Sequence, residues 1–442
     1  MVEIRGPPVR SYGGNKSRRR SGGVRSGLRC LVIPCSIFLC VAGGSTFLRR
    51  WLTPTRETPS VRGAVGAEIE AAADGTAVAG PGASVVAFAI SVTSLEFPQA
   101  STMLDSAEVL INSIRAACKF SRYRCETIAF ALPFVGKEGL QHLENMGWRV
   151  IEKDLPVAVE DIENDFYRNH VVKSGCCGAN EFIKLHAYTL TDYHRVVHLD
   201  ADTLILQPMD ELMESDASLL YTTDPAMATK GSEALPVQGG FLLVRPDMEV
   251  YDELRAIVRK GNWKVGAGWC GSHIGYFYGG ATIQGLLPYY YNIVAPGRAT
   301  ELNRCVYNHM SDSSVCRSER YTLAAMGTGA AATTVMIAPE ATTEEEEEEE
   351  EEGIKTKDSK DGDAESVTAS FFPVVYAIKS VHFTQSCRKP WFCGQVEVKQ
   401  EEGSCRSLQQ AWRDGRRDIL QAKGLPPTEA CVNRAYLPIP RT

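Results

Sequence analysis

The sequence predicts an α/β fold with a mostly parallel central sheet covered by helices on both faces. Short apolar runs typical of buried strands alternate with stretches of helical period from residue 84 onward. The chain has 442 residues and is 44% hydrophobic, which is ample for a buried core and excludes wholesale disorder. Sheets of this kind bind ligands at the carboxyl ends of their strands, so chemistry is expected at that edge.

The predicted elements follow one another regularly along the chain. The first strand is Val85–Ile90, and a helix with apolar residues at helical spacing from Leu104 to Ile114 comes next. Further strands are predicted at 127–132, 148–151, 196–199, 218–222 and 241–244, and further helices around 140–143 and from about Glu181. Pro246-Asp247 begins another helix, which Gly261 ends.

The N-terminal region differs from the rest of the chain in charge. Residues 1–30 carry eight Lys/Arg and one Glu, a charge of +7, so the remainder carries −14 because the whole chain is −7. The uncharged run 31–48 is interpreted as a signal anchor that leaves the N-terminus in the cytosol. A cleaved signal peptide and a buried core helix are the alternatives. Residues 49–83, rich in Ala, Gly, Thr and Pro, predict a flexible stem.

Charge and cysteine content indicate how the rest of the chain is organised. Residues 312–369 contain nine consecutive Glu, which cannot pack, and predict a disordered acidic insertion. The folded domain is therefore expected at 84–311 plus 370–399, followed by a polar, weakly patterned C-terminal extension at 400–442. Eleven of the 14 cysteines follow the anchor, which fits an oxidising lumen with some disulfides. Their pairing cannot be deduced from the sequence, and many of them could equally be buried free thiols. The acidic balance argues against nucleic acid as a partner.

The best chemical signal is Asp200-Ala201-Asp202, directly after the strand RVVHL. Two carboxylates one residue apart at the exit of a strand can turn toward one cation. Mn²⁺ and Mg²⁺ prefer oxygen ligands and keep positions open for phosphate. A second D-x-D, Asp361–Asp363, falls in the acidic insertion, where no rigid frame is predicted. The alternative for Asp200 and Asp202 is a solvated turn with a helix-capping carboxylate.

Three more side chains are candidates for the same site. Lys184 lies on the segment that leads into the D-x-D strand. His382 ends a later strand and could supply a neutral imidazole to the metal, and Lys389 could place a charge against a phosphate. Taken singly, His382 is interpreted as a core histidine and Lys389 as a surface lysine. Their combination favours a site.

The segment KLHAYTLTDYHRVVHLDADTLIL resembles the core signature of the glycogenin-type glycosyltransferases, family 8 of the retaining nucleotide-sugar enzymes. Five further pieces match in order, namely VVAFAIS, LPVQGGFLLVRP, GGATIQGLLPYYYN, LNRCVYNHM and VHF…KPW. The resemblance covers about 84–310 and 371–395. It implies a single Rossmann-like domain of GT-A type that binds a UDP-sugar with Mn²⁺ or Mg²⁺.

The resemblance also implies roles for individual residues. The expected metal ligands are Asp200, Asp202 and His382. The other residues expected to contact the donor are Ala89, Ile90, Ser91, Lys184, Ala201, Gly239, Gly240, Gln284 and Lys389. Ala89–Ser91 would cradle uridine, Lys389 the diphosphate, and Gln284 and Lys184 are the candidate catalytic residues. A glycosidase would instead need two carboxylates flanking the scissile bond.

Two departures from the family pattern affect the expected activity. Ile283 stands where the family usually has Asp before Gln-Gly. HFTQSCRKPW replaces the usual HFxGxxKPW, is one residue longer and lacks the glycine. Gly239 and Gly240 would let the backbone approach the sugar, although a bulge or turn before a strand also explains them. Tyr289–Tyr291 are expected to pack as aromatic residues near the acceptor cleft.

These observations predict a Golgi or ER membrane protein, single-pass type II, with a lumenal catalytic domain. The expected reaction transfers a hexose from a UDP-sugar, with retention, to a hydroxyl group on a glycan, lipid or protein. The alternatives are a catalytically inactive sugar-nucleotide-binding protein and a glycogenin-like self-glucosylating primer.

Overall fold

The computed structural model describes residues 82–95, 99–310, 316, 321–322, 376–385, 387–393, 404–427, 430–432 and 435–441. These residues belong to one compact unit. The predicted basic tail, anchor and almost all of the stem lie outside the described residues, as does nearly all of the acidic insertion. Among the described helices, none combines the length and the apolar character that crossing a membrane requires.

Helices pack against the sheet and extend into the C-terminal part of the described chain. The α-helices are α1 (Gln99–Cys118), α2 (Lys137–Met146), α3 (Asp165–Val171), α4 (Asp210–Met213), α5 (Met248–Lys260), α6 (Ile283–Tyr289), α7 (Arg304–Tyr307) and α8 (Ser404–Ala422). A 3₁₀ helix, Gly178–Thr189, occupies the place of the helix predicted from about Glu181. Asp247 caps the N-terminus of α5 and Gly261 ends it in the left-handed conformation, so both predicted bounds of that helix are confirmed.

Fifteen strands are described. They are β1 (Val85–Val92), β2 (Arg124–Ala131), β3 (Arg149–Glu152), β4 (Arg195–Leu199), β5 (Thr203–Ile205), β6 (Leu219–Thr223), β7 (Val237–Val244), β8 (Trp263–Lys264), β9 (Gly268–Trp269), β10 (Ala299–Glu301), β11 (Tyr321–Thr322), β12 (Tyr376–Ala377), β13 (Ser380–His382), β14 (Cys431–Val432) and β15 (Ala435–Tyr436).

Seven of these strands form the central sheet in the order β10-β6-β7-β4-β1-β2-β3. Strands β4, β1, β2 and β3 are parallel to one another, and β10 is parallel to β6. Strand β7 runs antiparallel to both of its neighbours, β4 and β6. The predicted α/β class with a mostly parallel central sheet is therefore confirmed.

The strand order places a switch point between β1 and β4. The chain builds β1, β2 and β3 outward in one direction and then returns to add β4 on the other side of β1. The crevice outside the carboxyl ends of two such strands is the usual ligand site of an open α/β sheet. Because β7 is antiparallel, its first residues, including Gly239 and Gly240, lie at this same edge.

Two apolar clusters stabilise the described chain. The larger one surrounds the central sheet, and β4 and β7 are buried along their whole length. The smaller cluster packs α8 against α1 and β13, with Leu408 and Trp412 fully buried. The C-terminal extension is thus in part a packed helix, which the sequence analysis did not predict because its apolar residues are few and widely spaced.

Eight of the eleven cysteines that follow the predicted anchor form disulfides. The pairs are Cys118–Cys125, Cys305–Cys316, Cys387–Cys405 and Cys393–Cys431. Cys176, Cys177 and Cys270 lie outside these disulfides. The pairs at Cys387 and Cys393 both join the segment around Lys389 to the C-terminal extension.

Candidate active site

The D-x-D turn is fixed by backbone and side-chain hydrogen bonds. Asp200 directly follows β4, and its amide donates to the carbonyl of Gly240 at 3.1 Å. The amide of Thr203, the first residue of β5, donates back to the Asp200 carbonyl at 3.2 Å. The Ser106 hydroxyl on α1 donates to the Ala201 carbonyl at 2.7 Å. These bonds hold both carboxylates on one side of the turn.

His382 reaches the same turn through strand pairing. Strand β13 pairs antiparallel with β5, with His382 opposite Thr203. This register brings its Nε2 atom to 3.3 Å from Asp202 Oδ1 and 3.8 Å from Asp200 Oδ2. The His382 side chain is buried, and burial holds its pKa below the ordinary value. A neutral imidazole is the form that binds a metal.

The donor set of Asp200, Asp202 and His382 fits a divalent cation. One ligand atom from each lies within 4.8 Å of the others. A Cβ on Gly240 would lie 2.4 Å from His382 Cε1 and 2.9 Å from Asp200 Oδ2, so only glycine leaves space beside these groups. Two carboxylates and one imidazole suit Mn²⁺ or Mg²⁺ and leave positions for phosphate oxygens.

Lys184 is the buried counter-charge of this turn. Its Nζ atom lies 2.8 Å from Asp200 Oδ1, 2.8 Å from Glu181 Oε2 and 3.1 Å from the Gly239 carbonyl oxygen. Burial alone would lower the pKa of Lys184, but the carboxylates of Asp200 and Glu181 outweigh it and hold that pKa above its usual range. The charge of Lys184 and its hydrogen bond to Asp200 likewise oppose the effect of burial on Asp200, whose pKa lies below the ordinary value.

Lys389 contacts the other carboxylate of the turn. Its ammonium group pairs with the Asp202 carboxylate and lies 5.6 Å from the centre of the Trp391 ring. We call Asp200, Asp202, His382, Lys184 and Lys389 the D-x-D cluster. The structure brings these five predicted residues together from the sheet, the 3₁₀ helix and the C-terminal segment.

The predicted nucleotide-binding residues lie at the end of β1. Ala89 and Ile90 are fully buried, and Ile90 pairs with Leu199, so Ser91 stands beside Asp200 at the sheet edge. The Ser91 hydroxyl and His198 Nε2 are 2.8 Å apart. Burial, reinforced by the charge of Lys184, lowers the pKa of His198 to about 3, so this imidazole is neutral at physiological pH.

Gln284 and Ile283 lie at the start of α6. Ile283 is fully buried, and its Cδ1 would lie 3.1 Å from a Cβ placed on Gly239, while Lys184 Nζ would lie 3.4 Å from the same point. The amide of Gln284 faces the sulfur of Met227 at 3.6 Å. Among the described residues, no hydrogen bond joins Gln284 to the D-x-D cluster, so the structure does not bring this predicted catalytic residue into contact with the other five.

Two contacts of this site were not predicted from the sequence. Glu181 pairs with Lys184, which an acid three residues before a buried lysine could have indicated. Gln385 has a φ of +51° and its Nε2 donates to Asp224 Oδ1 at 2.7 Å. Gln385 occupies the position of the glycine in HFxGxxKPW and retains the backbone conformation that favours glycine.

No protein-family model matches the chain. Over 112 residues the chain is 32% identical to glycogenin-1 of Mus musculus, a match that covers 25% of this chain and 31% of the relative. This match confirms the resemblance of the chain to the glycogenin-type glycosyltransferases that the motifs indicated. It spans only about a third of the length of glycogenin-1.

Solved glycosyltransferase structures are also similar to this chain. Mouse xyloside xylosyltransferase 1 is 14% identical, with 53% of this chain and 90% of that chain covered at a TM-score of 0.35. The galactosyltransferase LgtC is 11% identical, with 74% and 95% covered at 0.36. GlyE of Streptococcus pneumoniae TIGR4 is 12% identical, with 79% and 67% covered at 0.36. Because these scores are low, the support for a glycosyltransferase comes from the sequence match.

Proposed function

We propose that the chain is a metal-dependent retaining glycosyltransferase that moves a hexose from a UDP-sugar to a hydroxyl group on a glycan, lipid or protein. One observation carries this proposal. Two carboxylates, a neutral imidazole and two lysines converge at the carboxyl edge of the sheet, beside the switch point between β1 and β4. The glycogenin-like match supports the reaction class.

The chemistry of the leaving group explains this residue set. UDP departs from the anomeric carbon with negative charge developing on its diphosphate. Asp200, Asp202 and His382 would hold a divalent cation that neutralises this charge and orients the diphosphate. Lys389 is placed to add a second positive charge once its contact with Asp202 is exchanged for phosphate. Lys184, paired with two carboxylates, orients Asp200.

The residues proposed to bind the nucleotide and the sugar lie at the sheet edge beside the metal ligands. Ala89, Ile90 and Ser91, at the end of β1 next to β4, are the residues proposed to bind uridine. Gly239 and Gly240 leave space that any side chain would fill. Gln284 is assigned to the anomeric centre by the family resemblance alone, and retention has the same basis.

A catalytically inactive sugar-nucleotide-binding protein is the second candidate, and Ile283 favours it. The side chain is fully buried against Gly239, where the family usually carries an acid. An apolar group at this point cannot orient a sugar hydroxyl. The self-glucosylating primer gains no support from the tyrosines near the cleft, since Tyr289, Tyr290 and Tyr291 are all buried.

We also propose a lumenal location, with the uncharged run 31–48 as the membrane anchor of a type II Golgi or ER protein. Four disulfides in the described residues support an oxidising compartment. The basic N-terminal residues support a cytosolic tail. Protease protection of the domain in intact microsomes tests this location, and digestion without detergent would contradict it.

The function is tested by UDP release from the full chain in detergent. The donors are UDP-glucose, UDP-galactose, UDP-glucuronate and UDP-N-acetylglucosamine, each with Mn²⁺ and then with EDTA. We expect Mn²⁺-dependent turnover of one donor, abolished by EDTA. Metal-dependent UDP binding without turnover, together with turnover gained in an Ile283→Asp variant, would identify the inactive binding protein instead. No UDP binding at all would refute both candidates.

A further inference from the structure

Two adjacent cysteines form an exposed dithiol turn between α3 and the 3₁₀ helix. The Sγ atoms of Cys176 and Cys177 are 2.9 Å apart, and both side chains are exposed. Gly175 and Gly178 flank the pair with φ values of +67° and +58°. A Cβ on Gly178 would lie 2.5 Å from the Val172 carbonyl oxygen, so the turn requires glycine there and is tightly folded.

The dithiol turn contacts the D-x-D cluster through one carboxylate. Cys176 Sγ lies 3.8 Å from Glu181 Oε1. The other oxygen of Glu181 is 2.8 Å from Lys184 Nζ, which is itself 2.8 Å from Asp200 Oδ1. A thiol at position 176 therefore faces the group that orients the buried lysine. None of the roles proposed above uses either sulfur.

We propose that Cys176 and Cys177 are a reversible modification site. The two thiols are joined to each other in a vicinal disulfide by exchange with a small disulfide such as oxidised glutathione. The two sulfurs are 2.9 Å apart, and a disulfide bond is about 2.05 Å long, so they are already close. Because the Cα atoms of adjacent residues are only about 3.8 Å apart, less than in an ordinary disulfide, the vicinal bond is strained and easily reduced, as a reversible modification requires. The four disulfides of the described residues fit an oxidising compartment, in which small disulfides that exchange with thiols are present.

The exchange proceeds in two balanced steps. The thiolate of one cysteine attacks a sulfur of oxidised glutathione, which forms a protein–glutathione mixed disulfide and releases one glutathione thiolate. The thiolate of the second cysteine then attacks the protein sulfur of the mixed disulfide, which closes the vicinal bond and releases the second glutathione. The cysteines lose two electrons and two protons, and oxidised glutathione gains both.

Oxidation has a consequence for the donor site, and this part rests on the proposed function. A thiol at Cys176 donates a weak hydrogen bond to Glu181, whereas a disulfide sulfur has no proton to donate. Glu181 then loses one of its two partners, and its pairing with Lys184 changes. We expect the dissociation constant of UDP, measured with Mn²⁺, to differ about threefold between the two redox forms.

The modification is tested by equilibrating the full chain in detergent with mixtures of reduced and oxidised glutathione. Remaining thiols are blocked with N-ethylmaleimide, and the tryptic peptide Ser174–Lys184, which holds no other cysteine, is weighed by mass spectrometry. We expect a doubly alkylated peptide under reducing conditions. Under oxidising conditions we expect an unalkylated peptide that is lighter than the unmodified dithiol peptide by two hydrogen atoms.

Matched variants distinguish the vicinal bond from ordinary thiol oxidation. Cys176→Ser and Cys177→Ser should each carry one glutathione instead, because no second thiol is adjacent, and Cys270→Ser should behave like the parent chain. A parent peptide that stays doubly alkylated throughout, or that carries glutathione as the single variants do, would overturn the proposal.

The effect on the donor site is tested separately by calorimetric UDP titration of both redox forms. A threefold difference that disappears in the Cys176→Ser/Cys177→Ser double variant supports the link to Glu181. Equal affinities of the two forms would overturn that link. Absence of UDP binding in both forms would refute the proposed function and leave the mass measurement as the judge of the modification.

Discussion

The strand end that carries Asp200 and the loop that carries Lys389 are held in different ways. Strand β4 is buried along its whole length and hydrogen-bonded on both sides, by β1 and by β7. The loop of Lys389 lies between Cys387 and Cys393, whose disulfides lead to Cys405 at the start of α8 and to Cys431 in β14. Sheet pairing positions one half of the D-x-D cluster, and covalent cross-links fasten the other.

This difference follows from how much apolar surface each region can bury. The central strands bury nearly continuous apolar runs, which stabilise them without cross-links. The C-terminal segments that pack near Lys389 belong to the smaller core cluster, which buries less apolar surface, so disulfides replace missing core contacts. Lys389 lies between two cysteines that are bonded to the C-terminal extension, whereas β13, which ends in His382, pairs with β5 and packs against α8, so a complete cluster needs the extension as well as the sheet.

The largest expected effect comes from the sheet half. Asp202→Asn removes the negative charge that faces both His382 and Lys389. We expect Mn²⁺-dependent UDP release to fall about a hundredfold or more, since the stabilisation of the leaving group depends on that cation. The measurement is initial rate at saturating donor. Asp363→Asn, in the second D-x-D of the sequence, is the matched control and should keep full activity.

The next largest effect comes from loosening the loop half. Cys387→Ala/Cys405→Ala opens a cross-link that spans 18 residues, which lowers the free energy of unfolding by about 3 kcal/mol. We also expect Mn²⁺-dependent UDP affinity to fall roughly tenfold, because the loop of Lys389 and the end of β13 lose a support. Urea unfolding and calorimetric titration measure the two quantities.

A second disulfide provides the control for this change. Cys118–Cys125 joins α1 to β2 and closes only seven residues, away from the D-x-D cluster. Cys118→Ala/Cys125→Ala should lower the free energy of unfolding by about 2 kcal/mol, because its loop is shorter, while leaving UDP affinity unchanged. If both double variants lose UDP affinity equally, the loop has no special dependence on its cross-link and the comparison between the two regions fails.

The same contrast explains how far the sequence alone could predict the site. Asp200, Asp202 and the strands of the sheet could be predicted from the sequence, because their pattern is local and the strand ends of a parallel sheet share one edge. Pairing of β13 with β5, which brings His382 to Asp202, joins residues almost 180 positions apart and leaves no local signal. Taken singly, His382 is interpreted as a core histidine; its combination with the D-x-D and Lys389 made it a candidate ligand, and the family resemblance then assigned it to the metal.

The disulfides and α8 were beyond prediction for a related reason. Eleven cysteines allow many pairings, and nothing in their spacing selects the two that flank Lys389. Helix α8 buries its apolar residues at 408, 412 and 419, but its many charged residues give the segment a polar average. The buried residues recur at helical spacing, but the polar average of the segment hides this pattern.

The smallest expected effect concerns Gln385, which lies between β13 and Lys389 and contacts the end of β6 in the central sheet. Its left-handed backbone is unfavourable for any residue but glycine, and its amide donates to Asp224, which directly follows β6. Gln385→Gly removes both the strain and the bond, each of about 1 kcal/mol, so stability should stay within ~0.5 kcal/mol of the parent.

Gln385→Ala separates these two contributions. Alanine keeps the unfavourable backbone and loses the bond to Asp224, so we expect it to be about 1 kcal/mol less stable than both the parent and the glycine variant. Urea unfolding of the three proteins measures the difference. Equal stability of the alanine and glycine variants would mean that the loop does not hold a left-handed residue there, and that the extra residue before Lys389 has reshaped the turn instead.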